Sequence, residues 1–155
     1  MSLPNKIPMV SPNKDSRLEQ LGNLKVADIM VKDPLFSTPD EKISVTELLM
    51  VRKNIGGLPV VESRKSRRLI GIITERDIRL TRFAVSLESS NTTVRDLMTP
   101  EPITVKVDNT LKFVLEKMFN KKIQRLPVVN DNNELIGLVL QNDILAKLLS
   151  FILKK

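Results

Sequence analysis

Apolar residues along the chain follow helical spacing in some stretches and strand spacing in others, and the same succession occurs twice. The clearest helix is predicted in the second half, after N-cap candidates at 108–110. Its apolar positions are Leu111, Val114, Leu115, Met118 and Phe119. In the first half the corresponding stripe, from Ile43 to Met50, is less regular.

Shorter patterns flank each of these helices in the same order. Before the helix come a short helical segment, at 26–30 or 94–98, and a short strand that begins after Pro34 or Pro102. After it come two apolar runs of strand length, bounded by polar loops, and a closing helix. The predicted unit is therefore β-α-β-β-α, present twice, and the fold class is α/β (α+β).

The two halves also resemble each other residue by residue. The matching pairs are VADIM at 26–30 with VRDLM at 94–98, GGLPVV at 56–61 with QRLPVV at 124–129, and LIGIITERDI at 69–78 with LIGLVLQNDI at 135–144. Repetition of this kind predicts two copies of one structural unit of about 55 residues.

The repeat predicts how the chain is divided. The expected parts are an N-terminal extension at 1–25, a first unit at 26–85, a linker at 86–93, a second unit at 94–150 and a C-terminal end at 151–155. A unit this small buries too little surface to be stable alone. The last helix has excess apolar positions, notably Leu148, Leu149, Phe151 and Ile152. We expect the units to share a core and a partner chain to cover the excess, as in a homodimer.

Composition removes several classes of chemistry. The chain has no Cys and no His, which excludes disulfides, thiolate or His-ligated metal sites, cysteine nucleophiles and imidazole acid–base catalysis. No secretory signal is visible, and the longest largely apolar stretch, 144–153, is shorter than a membrane span and contains Lys147. We therefore expect a cytoplasmic protein that is not an enzyme, binds no metal and does not enter a membrane.

The excess of basic residues is compatible with two kinds of partner, a nucleic acid or a small phosphate ligand. Lys and Arg exceed Asp and Glu by 25 to 18, which gives a net charge of +7. The basic residues lie in short clusters, and the only aromatic residues are five Phe, whereas nucleic-acid binders usually combine a basic stripe with stacking aromatics. A nucleic-acid-associated or transcription-accessory role is therefore the alternative, and a small phosphate ligand explains the charge equally well.

The segment GIITERD at 71–77 is the best candidate for binding a phosphate-bearing ligand. Here a strand is predicted to end at Thr74 and a helix to begin, so that free backbone N–H groups and the helix dipole attract an anion. The carboxylate of Asp77, one turn further on, can accept two hydrogen bonds from a ribose diol. From these residues alone, a purely structural role as helix caps explains Thr74 and Asp77 equally well.

With two copies of a Pro-Val-Val strand followed by Gly and Asp at this spacing, residues 26–150 resemble a tandem CBS domain pair, or Bateman module. The resemblance implies two CBS repeats related by pseudo-twofold symmetry. It also implies a regulatory sensor that binds AMP, ADP, ATP or S-adenosylmethionine between the repeats and signals to an unidentified regulated protein. An adenine nucleotide is then a regulatory ligand, and no catalytic cofactor is expected.

The resemblance further implies two clefts, each completed by the other repeat. The stronger cleft is expected to contain Thr74, Arg76, Asp77, Pro102, Ile103, Thr104, Val105, Lys122, Gln124, Arg125 and Pro127. The weaker cleft is expected to contain Pro34, Leu35, Phe36, Ser37, Gly56, Gly57, Pro59, Leu140 and Asp143. Arg125 is the expected phosphate ligand, because a guanidinium makes bidentate contacts.

The weaker cleft departs from the family pattern at two positions. Leu140 stands where the family has Ser or Thr, and Gly57 is the repeat counterpart of Arg125. One hydroxyl and one guanidinium are therefore expected to be missing from the same cleft, which should bind phosphate poorly. A small phosphate-ester hydrolase ranks last among the possible functions, since only Glu75 and Asp77 supply carboxylates near the predicted phosphate position.

Overall fold

A computed structural model of the 155-residue protein describes residues 16–84 and 91–153. Most of the predicted N-terminal extension, residues 86–90 of the predicted linker and the last two residues lie outside the described ranges. The helices are α1 (Ser16–Gly22), α2 (Val26–Ile29), α3 (Ile43–Lys53), α4 (Glu75–Ala84), α5 (Val94–Leu97), α6 (Leu111–Lys121) and α7 (Gln141–Leu153). The strands are β1 (Val31–Lys32), β2 (Gly57–Val61), β3 (Leu69–Thr74), β4 (Thr99–Pro100), β5 (Arg125–Val129) and β6 (Leu135–Leu140).

The strands form two antiparallel sheets that exchange their short strands. One sheet has the order β1-β6-β5 and the other β2-β3-β4, so each unit's short strand pairs with the hairpin of the other unit. Val31 lies opposite Leu138, and Gly71 lies opposite Pro100. The predicted α/β fold with two like units is confirmed, and the exchange joins the units through main-chain hydrogen bonds.

The short strands lie earlier than the sequence predicted. They were expected after Pro34 and Pro102, whereas β1 and β4 end before these prolines. The backbone turns at Asp33 (φ 47°) and Glu101 (φ 49°), which separates each strand from the segment that follows. Beyond each proline the chain makes a single parallel bridge, from Ser37 to Val60 and from Val105 to Val128.

The predicted helices α3 and α6 end in the same way. Asn54 (φ 52°) and Lys122 (φ 54°) adopt the left-handed conformation as C-caps, and each backbone N–H returns to the last helical turn. This cap turns the chain from the helix into β2 or β5, so the residues that start these two strands occupy matching places in the two units.

Part of the extension packs on the second unit. Residues 16–22, which have no counterpart in the repeat, form α1, and Leu21 is buried in one core cluster with Leu111 and Met118 of α6. The first unit has a separate cluster that contains Met50, Ile73 and Ile78. The two units therefore have the same fold, and the core of the second unit has α1 packed on it in addition.

Helix α7 keeps part of its apolar surface exposed. Ile144 is buried and Leu148 and Phe151 pack against the core, whereas Leu149 and Ile152 are exposed. The homodimer expected from this surplus stays a prediction. With 13 residues α7 is the longest helix described, and none of the helices in 16–84 or 91–153 is long and apolar enough to cross a bilayer.

Candidate functional site

The turn from β3 to α4 holds Thr74 and Asp77 together as a capping pair. The backbone N–H and the hydroxyl of Thr74 donate to Oδ2 of Asp77 at 2.9 and 2.6 Å, and the N–H of Asp77 donates to the Thr74 hydroxyl at 3.2 Å. The structural role of these residues as caps is therefore real. Among the residues described, Oδ1 of Asp77 accepts no hydrogen bond, so one carboxylate oxygen stays available.

The turn from β6 to α7 has the same backbone without this pair. The N–H of Glu75 donates to the carbonyl of Gly56 at 3.1 Å, and its counterpart Gln141 donates to Gln124 at 2.9 Å. Leu140 has no hydroxyl to cap α7. Asp143 is exposed and accepts no hydrogen bond from any described residue. We refer to the surroundings of these two turns as the Thr74 cleft and the Leu140 cleft.

Arg125 connects the two clefts. Its backbone lies on β5 opposite Leu140. Its side chain crosses to the first unit, where the terminal nitrogens lie 2.9 and 3.1 Å from the positions that a Cβ on Gly56 or Gly57 would occupy. The same Gly57 position is 3.1 Å from the methyl group of Thr74. The two glycines therefore provide the space that the guanidinium fills.

The charge of this guanidinium is not matched by a direct partner. Burial lowers the pKa of Arg125, and the nearby carboxylates of Glu75 and Asp77 oppose that shift. Within the part of the chain that the structure describes, the side chain makes neither a hydrogen bond nor an ion pair. A half-buried guanidinium of this kind is well placed to bind an incoming anion.

The Leu140 cleft is a cavity of about 360 Å³ between the two units. Five residues predicted for the weaker cleft line it: Pro34, Leu35, Gly56, Gly57 and Leu140. Gln124 and Arg125 line it as well. Arg125 thus lines a cleft for which no guanidinium was predicted, with its tip over Gly56 and Gly57, and the weak phosphate binding expected of this cleft stays a prediction.

Four other residues predicted for the weaker cleft do not line this cavity. Phe36 lies beneath the guanidinium of Arg67, 4.9 Å from ring centre to carbon, and Ser37 is buried in a hydrogen-bonded group. Pro59 is buried in β2, where its carbonyl accepts from the Ser37 N–H. Asp143 lies outside the cavity wall on the exposed side of α7.

The residues predicted for the stronger cleft separate into several environments. Pro102 and Thr104 line another cavity, of about 390 Å³, together with Arg68 and Asn133. The other members lie in the core (Val105, Pro127), against it (Ile103) or at the surface (Arg76, Lys122, Gln124). The structure brings Thr74 and Asp77 together with Arg125, and the binding roles of all these residues stay predictions.

Sequence reasoning missed several residues of the Leu140 cleft, among them Asn54, Gln141 and Asn142. The repeat contained the signal, because Asn54 is the counterpart of Lys122 and Asn142 the counterpart of Arg76, both of which were predicted for the other cleft. Applying the pseudo-twofold relation in both directions would have found Asn54 and Asn142.

Charges away from the clefts are partly compensated. In the basic segment that follows β2, Arg64 pairs with Glu41 at 3.0 Å and Arg67 with Asp33 at 2.8 Å. Across 16–84 and 91–153 there is no group of three or more Asp or Glu residues placed to hold a metal ion. Arg125 thus differs from Arg64 and Arg67 in facing a cavity without a bonded carboxylate.

Comparison with known proteins identifies the repeat. The family model of the CBS domain matches residues 26–82 and 94–150. Inosine-5'-monophosphate dehydrogenase of Methanocaldococcus jannaschii is 33% identical over 134 residues, which are 86% of this chain and 25% of that enzyme. The enzyme of Bacillus subtilis is 33% identical over 132 residues, 84% of this chain and 26% of the enzyme. The chain thus spans about a quarter of these relatives.

Solved structures with the same fold include two with adenosine compounds. CBSX2 in complex with AMP has a TM-score of 0.71 and 25% identity, covering 83% of this chain and 98% of that one. The CBS domain pair of MJ0100, in complex with 5'-methylthioadenosine and S-adenosyl-L-methionine, has a TM-score of 0.71 and 28% identity, with 81% and 99% covered. With both repeats matched by the family model and the whole pair matched in three dimensions, this chain belongs to the CBS-domain family.

Proposed function

We propose that the chain is a regulatory, non-catalytic module that binds an adenosine-containing ligand between its two CBS domains. The proposal rests on the half-buried guanidinium of Arg125, which lies beside a cavity and has no bonded carboxylate among residues 16–84 and 91–153. The solved CBS pairs that hold AMP, 5'-methylthioadenosine and S-adenosylmethionine support the ligand class. AMP, ADP, ATP and S-adenosylmethionine all present the adenosine group that such a cleft would bind.

The Thr74 cleft has groups that match the ribose and the phosphate of a nucleotide. Oδ1 of Asp77 is available for ribose hydroxyls, because the capping bonds use only Oδ2. The N-terminus of α4 and the guanidinium of Arg125 offer positive charge to phosphate. In the Leu140 cleft, Pro34, Leu35 and Leu138 supply an apolar wall for the base.

The conformational effect of ligand binding would be transmitted to a partner protein through the exchanged strands β1 and β4. Because β1 and β4 each pair with the other unit, a ligand that changes the angle between the units must shift both sheets. Such a shift regulates a partner only if the ligand has different affinities for the two arrangements. The exposed apolar residues of α7, Leu145, Leu149 and Ile152, offer a surface for a second copy of the chain.

The purified protein provides a direct test of ligand binding. The chain has no Trp and no Tyr and so absorbs almost nothing near 280 nm. An absorption at 260 nm far stronger than the weak absorption of the five Phe would show a co-purified adenine nucleotide. On protein freed of ligand, calorimetry with AMP and with adenosine should show binding to both. The absence of heat and of any thermal shift with AMP, ADP, ATP, adenosine and S-adenosylmethionine would contradict the proposal.

Asp77→Ala should weaken AMP binding by about 1.5–3 kcal/mol, the cost of losing hydrogen bonds to a charged group. Asp96→Ala is a matched control. Asp96 caps α5 through Thr93 with the same geometry, at 2.8 Å from the N–H and 3.0 Å from the hydroxyl, and these bonds lower its pKa. Both variants lose a capping pair, so an equal loss of AMP affinity in both would assign the effect to stability and contradict a ribose contact at Asp77.

A further inference from the structure

The chain has one arginine where a symmetric pair of clefts would have two. Arg125 follows Gln124 in the second unit, and the counterparts of these residues in the first unit are Gly57 and Gly56. The side chain of Arg125 fills the space that this difference creates, with its terminal nitrogens over the two glycines. At these repeat positions the two clefts therefore have one guanidinium, that of Arg125.

This guanidinium is within reach of both clefts. The backbone of Arg125 pairs with Leu140, and the residue lines the cavity at that turn. At the same time its guanidinium is close enough to Glu75 and Asp77, at the start of α4, for their charges to favour its protonated form and oppose the lowering of its pKa. Neither carboxylate forms an ion pair with it, so no bond of the described structure holds the side chain on one side. A rotation about its side-chain torsions would move the charge from one cleft to the other.

We propose that Arg125 is shared by the two clefts and neutralises a ligand phosphate in only one of them at a time. Phosphate-bearing adenosine ligands then bind the two clefts with negative cooperativity, whereas adenosine, which lacks phosphate, does not. This inference rests on the proposed function and adds to it how the two clefts are coupled. The coupling needs no change of fold, because one side chain changes its position.

The size of the coupling follows from the bond that the second ligand lacks. A hydrogen bond to a charged group contributes enough to change an affinity about tenfold to a hundredfold. The second ADP should therefore bind at least tenfold more weakly than it would if the first cleft were empty. The binding of adenosine in the second cleft should be the same whether or not the first cleft is filled.

The test is a calorimetric titration of the full chain with ADP and, in parallel, with adenosine. In the wild type both ligands should show two steps. Asp77→Ala weakens ligand binding in the Thr74 cleft, so Arg125 can contact a phosphate in the Leu140 cleft. ADP should then bind that cleft at least tenfold more tightly than in the second step of the wild type. Adenosine should bind it with unchanged affinity, and adding Arg125→Gln should abolish the gain for ADP.

Gly56→Ala tests the same idea without removing the arginine. A Cβ at this position would meet the tip of Arg125 at 2.9 Å and, at 4.0 Å, the carboxylate of Glu75. It should displace the guanidinium from the glycines, so that the tighter ADP step falls about tenfold and the tighter adenosine step falls by less. An unchanged tighter ADP step in this variant would show that the position of the guanidinium over the glycines has no role in binding.

The possible outcomes separate the two proposals. ADP binding in Asp77→Ala that equals the second step of the wild type would overturn the sharing of Arg125 and leave the proposed function in place. A wild-type protein that binds neither ADP nor adenosine would instead overturn the proposed function, and the shared arginine with it. A gain for ADP without a gain for adenosine supports both.

Discussion

The turns that end β3 and β6 have the same backbone and different chemistry. In both, the first N–H of the following helix donates to the residue two places before the Leu-Pro of its own unit. Thr74 and Asp77 form a capping pair at the first turn, whereas Leu140 and the exposed Asp143 do not at the second. The difference teaches that main-chain bonds maintain the fold of a repeat, so its side chains are free to diverge into unequal sites.

The cores of the two units also differ in the chemistry of side chains at matching positions. In the first unit Ser37 and Thr46 are both 0% exposed and hydrogen-bond to each other at 3.1 Å and to Glu41. Their counterparts in the second unit are Val105 and Val114, which lie in an apolar cluster. One buried position is thus filled by a hydrogen-bonded group in one unit and by hydrocarbon in the other.

The largest effect is expected where the units are joined. A Cβ on Gly71 would meet Sδ of Met98 at 2.7 Å and the backbone carbonyl of Thr99 at 3.0 Å. On Gly137 a Cβ would meet Sδ of Met30 at 2.5 Å, but both methionines are flexible, and the backbone carbonyl of Val31 would be further away, at 3.2 Å. Gly71→Ala should therefore lower the free energy of unfolding by about 1–3 kcal/mol, and Gly137→Ala by less.

Denaturant unfolding monitored by circular dichroism measures both variants. Gly22→Ala in α1 is the control, because its Cβ would meet only Lys112 at 3.8 Å and alanine favours helix. A loss in Gly71→Ala no larger than the change in Gly22→Ala would contradict the tight approach of β4 to β3.

A smaller effect is expected for Thr46→Val, which gives the first unit the residue of the second. The valine fills the volume but loses two hydrogen bonds, while the bond of 2.6 Å from Ser37 to Glu41 stays. The free energy of unfolding should fall by about 0.5–1.5 kcal/mol. Ser44→Ala, on the exposed side of the same helix, should change it by less than about 0.5 kcal/mol. A gain in stability from Thr46→Val would show that the polar group costs more than it contributes.

The smallest effect is expected at the cap of α7. Leu140→Thr supplies a hydroxyl three residues before Asp143. Thr74 and Asp77 have the same spacing. Relative to Leu140→Ala, which loses the same apolar side chain without gaining a cap, it should be more stable by about 0.5–1 kcal/mol. Equal melting temperatures for these two variants would mean that the second turn cannot form the pair.

The repeat made most of the fold predictable. The stripe of apolar residues predicted α6 where it lies, and the matched segments predicted two like units. The strands β1 and β4 have two residues each, which is too short for an alternating pattern, and their exchange between units depends on long-range pairing. Ser37 could not be assigned to the core from sequence, because a polar residue is buried only where distant partners satisfy it.

The candidate site was predictable in part. The segment at 71–77 predicted that a strand ends at Thr74 and a helix begins, and β3 and α4 meet there. The position of the Arg125 guanidinium was not predictable, because it depends on the direction of a long side chain across the pseudo-twofold relation. Its side chain fits there because Gly56 and Gly57 have no side chains of their own.

The central claim is that an adenosine ligand binds between the two CBS domains and prefers the cleft with the capping pair. A crystal structure of the full chain with AMP at less than one equivalent tests it directly. AMP should occupy the Thr74 cleft, with its ribose hydroxyls on Asp77 and its phosphate beside Arg125. Density for AMP in the Leu140 cleft alone, equal density in both clefts, or density outside them would contradict the account.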